Sequence, residues 1–285
     1  MISNCTTFRL LSYCLLLAFF SMAAPINANE QANTQLVETH KLNVSISVGA
    51  GGFENPLVNS ENTFTPILPH INYYGDKWYF EDFSLGYSLI ENEHLILDVA
   101  TNFNEDGFFF ELDGLDNFFI TSIVPSGPTR PGGVPVVANE IQRKLSYLGG
   151  LSAIIPNSFA TINIAYLKDI SGVHHGSETH LSALKILPLL GGDLAIEAAM
   201  VAKDEKLSNY YYMLRPGEAL IRIPEYELGT SYNAYVKLAY WLELDSHWAI
   251  DFQLKRTRLD SQLADTPLIQ KQYYYSGFLG LNYRF

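Results

Sequence analysis

Apolar and polar residues alternate along much of this chain. Between positions 42 and 50 every second residue is apolar, from Leu42 through Val44, Ile46 and Val48 to Ala50. Alternation with a period of two predicts a β-strand with one apolar and one polar face. The pattern recurs over most of the chain and no helix-period segment competes with it, so the sequence predicts an all-β protein.

Turn signals divide the pattern into twelve predicted strands. They lie near 42–51, 66–75, 77–89, 94–103, within 107–124, and near 142–155, 159–169, 178–188, 193–203, 232–243, 248–257 and 272–285. Short connections at 75–76, 104–107, 156–158, 189–192 and 244–247 alternate with a second set that is mostly long: 52–65, 125–141, 170–177, 204–231 and 258–271, with only 90–93 short. This alternation is typical of an antiparallel up-and-down transmembrane β-barrel with short periplasmic turns and long extracellular loops.

A soluble β-sandwich would also give alternating strands. The predicted strands are longer than the usual five or six residues, and that length suits a tilted crossing of the membrane. Aromatic residues cluster near the strand ends, where a membrane barrel carries its aromatic girdles. Both observations favour the barrel.

The first residues resemble an export signal. Arg9 precedes the apolar run 10–24, and small residues follow up to Ala28. We expect residues 1–28 to be a cleaved signal peptide, with Ala24 as the second choice of cleavage site, 29–41 an N-terminal periplasmic segment and 42–285 the barrel. The two cysteines, Cys5 and Cys14, lie within the signal, so a disulfide framework and a thiolate metal site are excluded from the rest.

Charge narrows the set of partners. The formal net charge of −12 argues against nucleic acid, whose phosphates require a basic face. Charged residues on the predicted strands are mainly out of phase with the apolar face and should point into the barrel. They form either a structural network or a narrow water path with a weak cation preference, and both interpretations stay open.

The candidate chemistry is sparse. His174 and His175 could bind a metal only with a third ligand such as Glu178 or His180, and a solvated outer loop is the favoured interpretation. We find no Gly-x-Ser-x-Gly turn and no pairing of Ser, His and carboxylate that marks a triad. The sequence therefore predicts a protein that is not an enzyme, with no catalytic residues, no cofactor and no metal.

Loop 204–231 is the best candidate for recognition of a partner. Tyr and Arg are favoured interface residues, and the loop supplies Tyr210, Tyr211, Tyr212, Arg215 and Arg222. An equally weighted alternative is a lid that folds into the barrel mouth and packs its own aromatic rings. At the other end of the chain, an alternating strand finishes on Tyr283 and Phe285, which many outer-membrane barrels share as an assembly signal.

Several motifs, in order, resemble the MipA/OmpV family of MltA-interacting proteins. They are Leu-Pro-His-Ile-Asn-Tyr-Tyr-Gly at 68–75, Leu-Gly-Tyr at 85–87, Gly-Val-His-His-Gly at 172–176, Asn-Tyr-Tyr-Tyr at 209–212, Pro-Gly-Glu-Ala at 216–219 and Thr-Pro-Leu at 266–268 before the closing strand. The resemblance implies an outer-membrane scaffold or interaction platform linked to murein hydrolase or synthase proteins. Outer-membrane lipid and the barrel-insertion machinery are the other expected partners. Some members of the family are described as porin-like or as adhesins, so a small-solute or ion channel and a surface adhesin remain alternatives.

Overall fold

The computed structural model describes residues 39–111, 141–215, 217–219 and 226–285. The predicted signal peptide and Arg222 lie outside these ranges. Within them, no helix has both the length and the apolar character needed to cross a membrane.

Thirteen strands form one antiparallel sheet that closes on itself. They are β1 (Leu42–Phe53), β2 (Thr63–Phe64), β3 (Ile67–Tyr74), β4 (Trp78–Glu81), β5 (Ser84–Glu91), β6 (Ile96–Phe103), β7 (Tyr147–Ile155), β8 (Thr161–Asp169), β9 (Ser177–Leu189), β10 (Gly192–Lys203), β11 (Ser231–Glu243), β12 (Trp248–Arg258) and β13 (Tyr273–Arg284). The two-residue β2 only adds to the end of β1. The wall is therefore a barrel of twelve strands, as the sequence predicts.

The last strand closes the barrel against the first. β13 pairs with β1 over nine residues, in a register that places Leu281 opposite Val48 and Gly280 opposite Gly49. The N–H of Phe285 also donates to the carbonyl of Val44 at 3.1 Å. Because closure leaves no sheet edge running the full height of the wall, backbone groups that would face lipid are paired.

The two faces of the wall follow the predicted alternation. Val48, Ile164 and Leu279 point outward with about half of their surface exposed, at 57%, 44% and 56%. The neighbouring Asn163 points inward, where its side-chain oxygen accepts a hydrogen bond from the Ser152 hydroxyl at 3.0 Å. Lys185 is an exception to the expected inward charges, since it shares the outward phase of Leu181 and donates to the Ser158 carbonyl in the turn below.

Two of the predicted strands are wrong. The number of strands is still correct, because one predicted strand is in fact two strands and the other begins as a helix. The segment predicted as one strand at 77–89 is a hairpin, because Asp82 and Phe83 adopt positive φ angles of 43° and 72° and turn the chain between β4 and β5. β6 and β7 pair directly, so no strand of the described residues separates them in the sheet. The strand predicted within 107–124 begins instead as helix α1 (Glu105–Glu111), and its remainder falls outside the described residues.

The correction makes the alternation of connections regular. The predicted short turn at 104–107 is part of one long extracellular connection between β6 and β7. The short connection at 92–95, predicted among the extracellular loops, is a periplasmic turn between β5 and β6. In the described part of the long connections there are three helices: α1, α2 (Glu205–Tyr212) and α3 (Ser261–Ala264). Asp204 and Asp260 begin α2 and α3 as N-caps, because their carboxylates accept hydrogen bonds from the N–H groups of Leu207 and Gln262.

Candidate functional site: the cap and the lumen

The three helices and the loops around them form a packed layer over the extracellular end of the barrel, which we call the cap. Its buried core draws side chains from four of the long connections, including the three that carry helices, and from the start of β13. The core side chains are Leu57, Phe109, Leu207, Tyr211, Tyr212, Leu228, Leu259, Leu263, Ile269 and Tyr274. Tyr211 and Tyr212 are fully buried within it. The apolar burial of large aromatic side chains holds the connections together over the mouth.

An ion pair ties the cap to the wall. The Lys203 ammonium, at the end of β10, donates to both carboxylate oxygens of Asp106 in α1 at 2.5 and 2.6 Å. The Tyr212 hydroxyl donates to the same carboxylate at 2.8 Å. Both ionic side chains are almost completely buried, with 7% and 2% of their surface exposed. A buried pair of this kind is stable only when its hydrogen bonds are complete, so it fixes the position of α1.

A second buried group surrounds the His174 ring. The N–H of Gly176 donates to Nδ1 at 2.9 Å, so the ring proton lies on Nε2, which donates to the Ser146 hydroxyl at 3.0 Å. Burial lowers the pKa of His174 below its ordinary value, although Asp169 nearby acts in the opposite direction. The ring is therefore neutral at pH 7.

This Ser146–His174 contact resembles a catalytic pair but has the wrong tautomer. A general base must accept the serine proton on Nε2 and needs a carboxylate on the other ring nitrogen. Here Nε2 carries the proton and Nδ1 accepts from a backbone N–H. His174 therefore holds the loop rather than activating Ser146.

The Asp169 carboxylate organises the same loop. Burial acts against its ionisation, yet hydrogen bonds from the Ser171 hydroxyl and from the backbone N–H groups of His174 and His175 hold the pKa of Asp169 well below its ordinary value. Among the described residues, no group of three or more His, Cys, Asp or Glu side chains is placed to hold a metal ion.

Below the cap, the lumen of the barrel contains cavities, two of which share lining residues. One of about 440 Å³ lies under α1 and one of about 240 Å³ lies beside β5 and β6. Glu197 and Tyr235 line both cavities. Lys255 reaches up from the wall to Glu105 at 2.7 Å and lowers the pKa of that carboxyl to about 2.

A hydrogen-bonded network fills the lumen near the seam between β13 and β1. The Asn282 amide donates to the hydroxyls of Ser45 and Ser47, and Ser47 donates to the Asp251 carboxylate at 2.9 Å. On the opposite wall, the Tyr79 hydroxyl donates to Asp98 at 3.1 Å. These contacts fit the structural network expected for the inward charges.

The structure separates the residues of the predicted recognition loop. Tyr211 and Tyr212 lie in the core of the cap, as the lid alternative describes. Tyr210 is half-buried, its hydroxyl accepts from the N–H of Lys144 at 3.0 Å, and the exposed Arg215 lies 5.0 Å above its ring. Recognition through this loop stays a prediction, and Arg215 and the edge of Tyr210 are the parts that a partner could reach.

The residues of the predicted assembly signal lie together at the periplasmic end. The Tyr283 ring is 4.9 Å from that of Trp248 and 5.1 Å from that of Phe285, whose side chain is 75% exposed. Their role in assembly also stays a prediction.

Several contacts in the cap could not be predicted from the sequence. The Arg143 guanidinium donates to both oxygens of Glu218 at 2.6 and 2.8 Å and to the Met213 carbonyl. Burial opposes ionisation of Glu218, but these hydrogen bonds prevail and lower its pKa. Arg143 and Glu218 are 75 positions apart, as Asp106 and Lys203 are 97, so no local pattern pairs them.

A closed twelve-strand wall with an apolar outer band, short turns at one end and capped loops at the other defines an outer-membrane β-barrel protein. Residues 48–285 match the profile of the family described as MltA-interacting protein MipA. The chain belongs to this family, which confirms the resemblance of its motifs.

Two curated relatives carry outer-membrane names. The chain is 24% identical over 260 residues to the outer membrane protein OmpV of Vibrio cholerae, covering 89% of this chain and 93% of the relative. It is 22% identical over 254 residues to the putative outer membrane protein YiaT of Escherichia coli O157:H7, covering 85% and 91%. The protein is therefore located in the outer membrane.

Among solved structures, a FadL homologue of Pseudomonas aeruginosa is similar with a TM-score of 0.37 and 12% identity. The similarity covers 86% of this chain and 76% of the homologue.

Proposed function

We propose that this protein is a non-enzymatic outer-membrane scaffold that binds a murein-remodelling protein at its periplasmic end. The observation that carries the proposal is the cap: with the extracellular mouth covered by packed aromatic side chains, the accessible end of the barrel is the periplasmic one. The description of the family as MltA-interacting supports a partner of this kind.

The short turns supply an apolar contact surface, which we call the periplasmic rim. It consists of Phe159, Leu190 and Leu244, with 83%, 87% and 54% of their surfaces exposed. Leu190 is held outward by a tight turn with a positive φ of 49°. Exposed apolar side chains on short, well-defined turns are suited to a protein contact.

The geometry of the Ser146–His174 contact supports the proposed absence of enzymatic activity. Its serine is fully buried and its histidine holds the proton on the nitrogen that would have to accept one. Hydrolysis by this pair is not expected.

The test is binding of purified MltA to the full protein in nanodiscs. We expect the double variant Phe159→Ser/Leu190→Ser to weaken binding at least tenfold, while Arg215→Ala on the cap leaves it unchanged. Heat-modifiable gel mobility checks that both variants are folded. Loss of binding in the Arg215 variant alone would place recognition on the extracellular loop and contradict the rim, and absence of binding by the unaltered protein would contradict the scaffold.

A small-solute or ion channel is the second candidate, because the two cavities make the lumen partly hollow. Single-channel recording in planar bilayers separates the two functions. The scaffold predicts no steady conductance while the cap is closed, whereas a channel predicts steady conductance of the unaltered protein. A surface adhesin would instead depend on Arg215 and Tyr210.

Outer-membrane lipid and the insertion machinery complete the proposed set of partners. The apolar outer face supports the first, and the exposed terminal ring of Phe285 supports the second.

A further inference from the structure

Two exposed arginines lie on the outer face of β12, near its extracellular end. Arg256 and Arg258 share the outward phase of Leu254, which is 39% exposed. Neither guanidinium forms a hydrogen bond or an ion pair with any residue that the structure describes. A cation on the lipid-facing surface of a barrel costs least near the membrane interfaces, so the level of these two side chains matters.

Strand geometry places both arginines at the edge of the apolar band. Trp248 lies at the periplasmic end of the same face, where its ring is 4.9 Å from that of Tyr283. A rise of about 3.3 Å per residue and a tilt of about 40° put Arg256 roughly 20 Å and Arg258 roughly 25 Å above Trp248. The apolar band of an outer-membrane barrel is about 25 Å tall, so the two arginines lie at the level of the outer head groups.

Tyrosine rings surround the arginines at this level. Tyr275 on β13 is opposite Arg256, and Tyr273 is opposite Arg258. Tyr232 is exposed on the same outer face, at the extracellular end of β11. Amphipathic rings are typical of the head-group level, which agrees with the strand geometry. We call the two arginines and the three tyrosines the arginine patch.

The Arg256 side chain leans toward the extracellular side. Its guanidinium carbon lies 4.6 Å from the centre of the Tyr273 ring and 5.8 Å from that of Tyr275, although Tyr275 is its direct neighbour across the strands. Tyr273 is two residues nearer the extracellular end, so the guanidinium approaches the level of Arg258. Contact with a ring face leaves the N–H groups free, because they lie in the plane of the guanidinium. Arg256 is therefore held in position with its hydrogen-bond donors unused.

Two carboxylates beside the arginine patch have other partners. Glu54 accepts from the N–H of Tyr275 at 3.1 Å and pairs with Lys271 at 3.5 Å. Asp260 accepts from the N–H groups of Tyr232 and Gln262, both at 2.8 Å. The patch therefore keeps two positive charges without a counter-charge, in a chain whose formal net charge is −12.

We propose that the arginine patch binds the phosphate groups of a lipid in the outer leaflet of the outer membrane. Guanidinium groups donate bidentate hydrogen bonds to phosphate. Two outward residues of one strand that are separated by a single residue lie about 6.6 Å apart, so both guanidiniums can contact one head group. The acyl chains would lie on the apolar surface below, at Leu254 and Leu279.

The site adds a head group to the proposed contact with outer-membrane lipid and rests on that contact. It does not depend on the scaffold function, because the rim and the arginine patch lie at opposite ends of the wall.

Lipid binding to the purified full protein in detergent tests the site. Native mass spectrometry would count the lipids bound during titration with lipid A that carries two phosphates, and with the same lipid after phosphatase treatment. We expect the unaltered protein to bind the phosphorylated lipid at least tenfold more tightly than the dephosphorylated one. The double variant Arg256→Gln/Arg258→Gln should lose that preference, because both guanidiniums are absent.

Lys168 supplies a matched control. It is exposed on the outward phase of β8, near the extracellular end, and its neighbours across the strands are Gly149 and Ser177. Lys168→Gln removes a positive charge from the same face and should change the preference less than twofold. Arg256→Lys keeps the charge but removes the fork of donors, and it should weaken binding of the phosphorylated lipid at least threefold. This single variant keeps the test available if the double variant fails to fold, which heat-modifiable gel mobility checks.

Several outcomes would overturn the site. The first is equal binding of the phosphorylated lipid by the double variant and the unaltered protein, and the second is an equal loss in Lys168→Gln. Equally tight binding of phosphatidylglycerol would overturn the assignment to an outer-leaflet lipid, and displacement by inorganic phosphate at the same concentration would make the patch a site for free phosphate. Incorporation into phosphatidylcholine vesicles tests the apolar contact separately and should be equal in all variants. An unaltered protein that fails to enter these vesicles would overturn the lipid contact itself.

Discussion

Replacing Lys203 by Met is the most informative perturbation of the cap. The variant removes the ammonium that contacts both oxygens of Asp106, while the aliphatic stem is retained. The Asp106 carboxylate then remains buried. Of the two side chains that donate hydrogen bonds to it, Lys203 and Tyr212, it keeps only the Tyr212 hydroxyl. Removal of one partner from a buried ion pair costs about 3 to 5 kcal/mol, because the remaining charge is uncompensated. We expect Lys203→Met to lose stability in this range.

The double variant Lys203→Met/Asp106→Leu gives a different expectation. Both charges are absent in this variant, and the Tyr212 hydroxyl loses its acceptor. A buried hydroxyl without a hydrogen-bond partner costs about 1 to 3 kcal/mol of stability. The double variant should therefore be more stable than Lys203→Met alone. A third variant, Glu105→Gln, removes the exposed pair with Lys255 and should cost no more than about 1 kcal/mol.

Urea unfolding from vesicles measures the free energies, and trypsin cleavage at the exposed Lys206 reports opening of the cap. A loss of about 3 kcal/mol raises the opened population roughly 100-fold, so cleavage should accelerate strongly in Lys203→Met. Equal stability of Lys203→Met and the unaltered protein would refute the buried pair as the fastening of the cap. A double variant less stable than Lys203→Met alone would refute the charge argument.

Three further predictions concern orientation and pH. Ile164→Arg should cost about 2 to 4 kcal/mol in folding titrations because the cation faces lipid, whereas Asn163→Arg should be tolerated, and the reverse order would mean that β8 is turned inside out. A single cysteine at the exposed Gly217 should react with an impermeant maleimide on intact cells and one at Asn157 should not; equal labelling contradicts the orientation. Folding lowers the pKa of Asp169, so the stabilisation that the ionised carboxylate provides is complete above the ordinary pKa of 3.8 and is lost as the pH falls through the lower pKa of the folded state. Loop 170–176 should therefore exchange its amide hydrogens faster in strong acid. The variant Asp169→Asn should abolish that pH dependence.

Local patterns in the sequence were enough to predict the fold class, the phase of most strands and the location in the outer membrane. A period of two is a local property, and the inward position of Asn163 beside the outward Ile164 can be read from neighbours in the chain. The closing strand can likewise be predicted from its own residues, because they alternate up to Phe285. The motifs in their order determined the family.

The position of the β4–β5 turn and the covering of the mouth are visible only in the folded barrel. Two residues with positive φ, Asp82 and Phe83, reverse the chain and change the phase of the alternation, since Phe80 is paired with Leu85 across the turn. The sequence hides this change because residues 78–80 are all aromatic. The cap depends on Lys203 meeting Asp106 and on Tyr212 being buried beside them, contacts across about a hundred positions. Such pairings are set by the closure of the barrel, which brings distant loops over one mouth, and no local pattern of residues encodes that proximity.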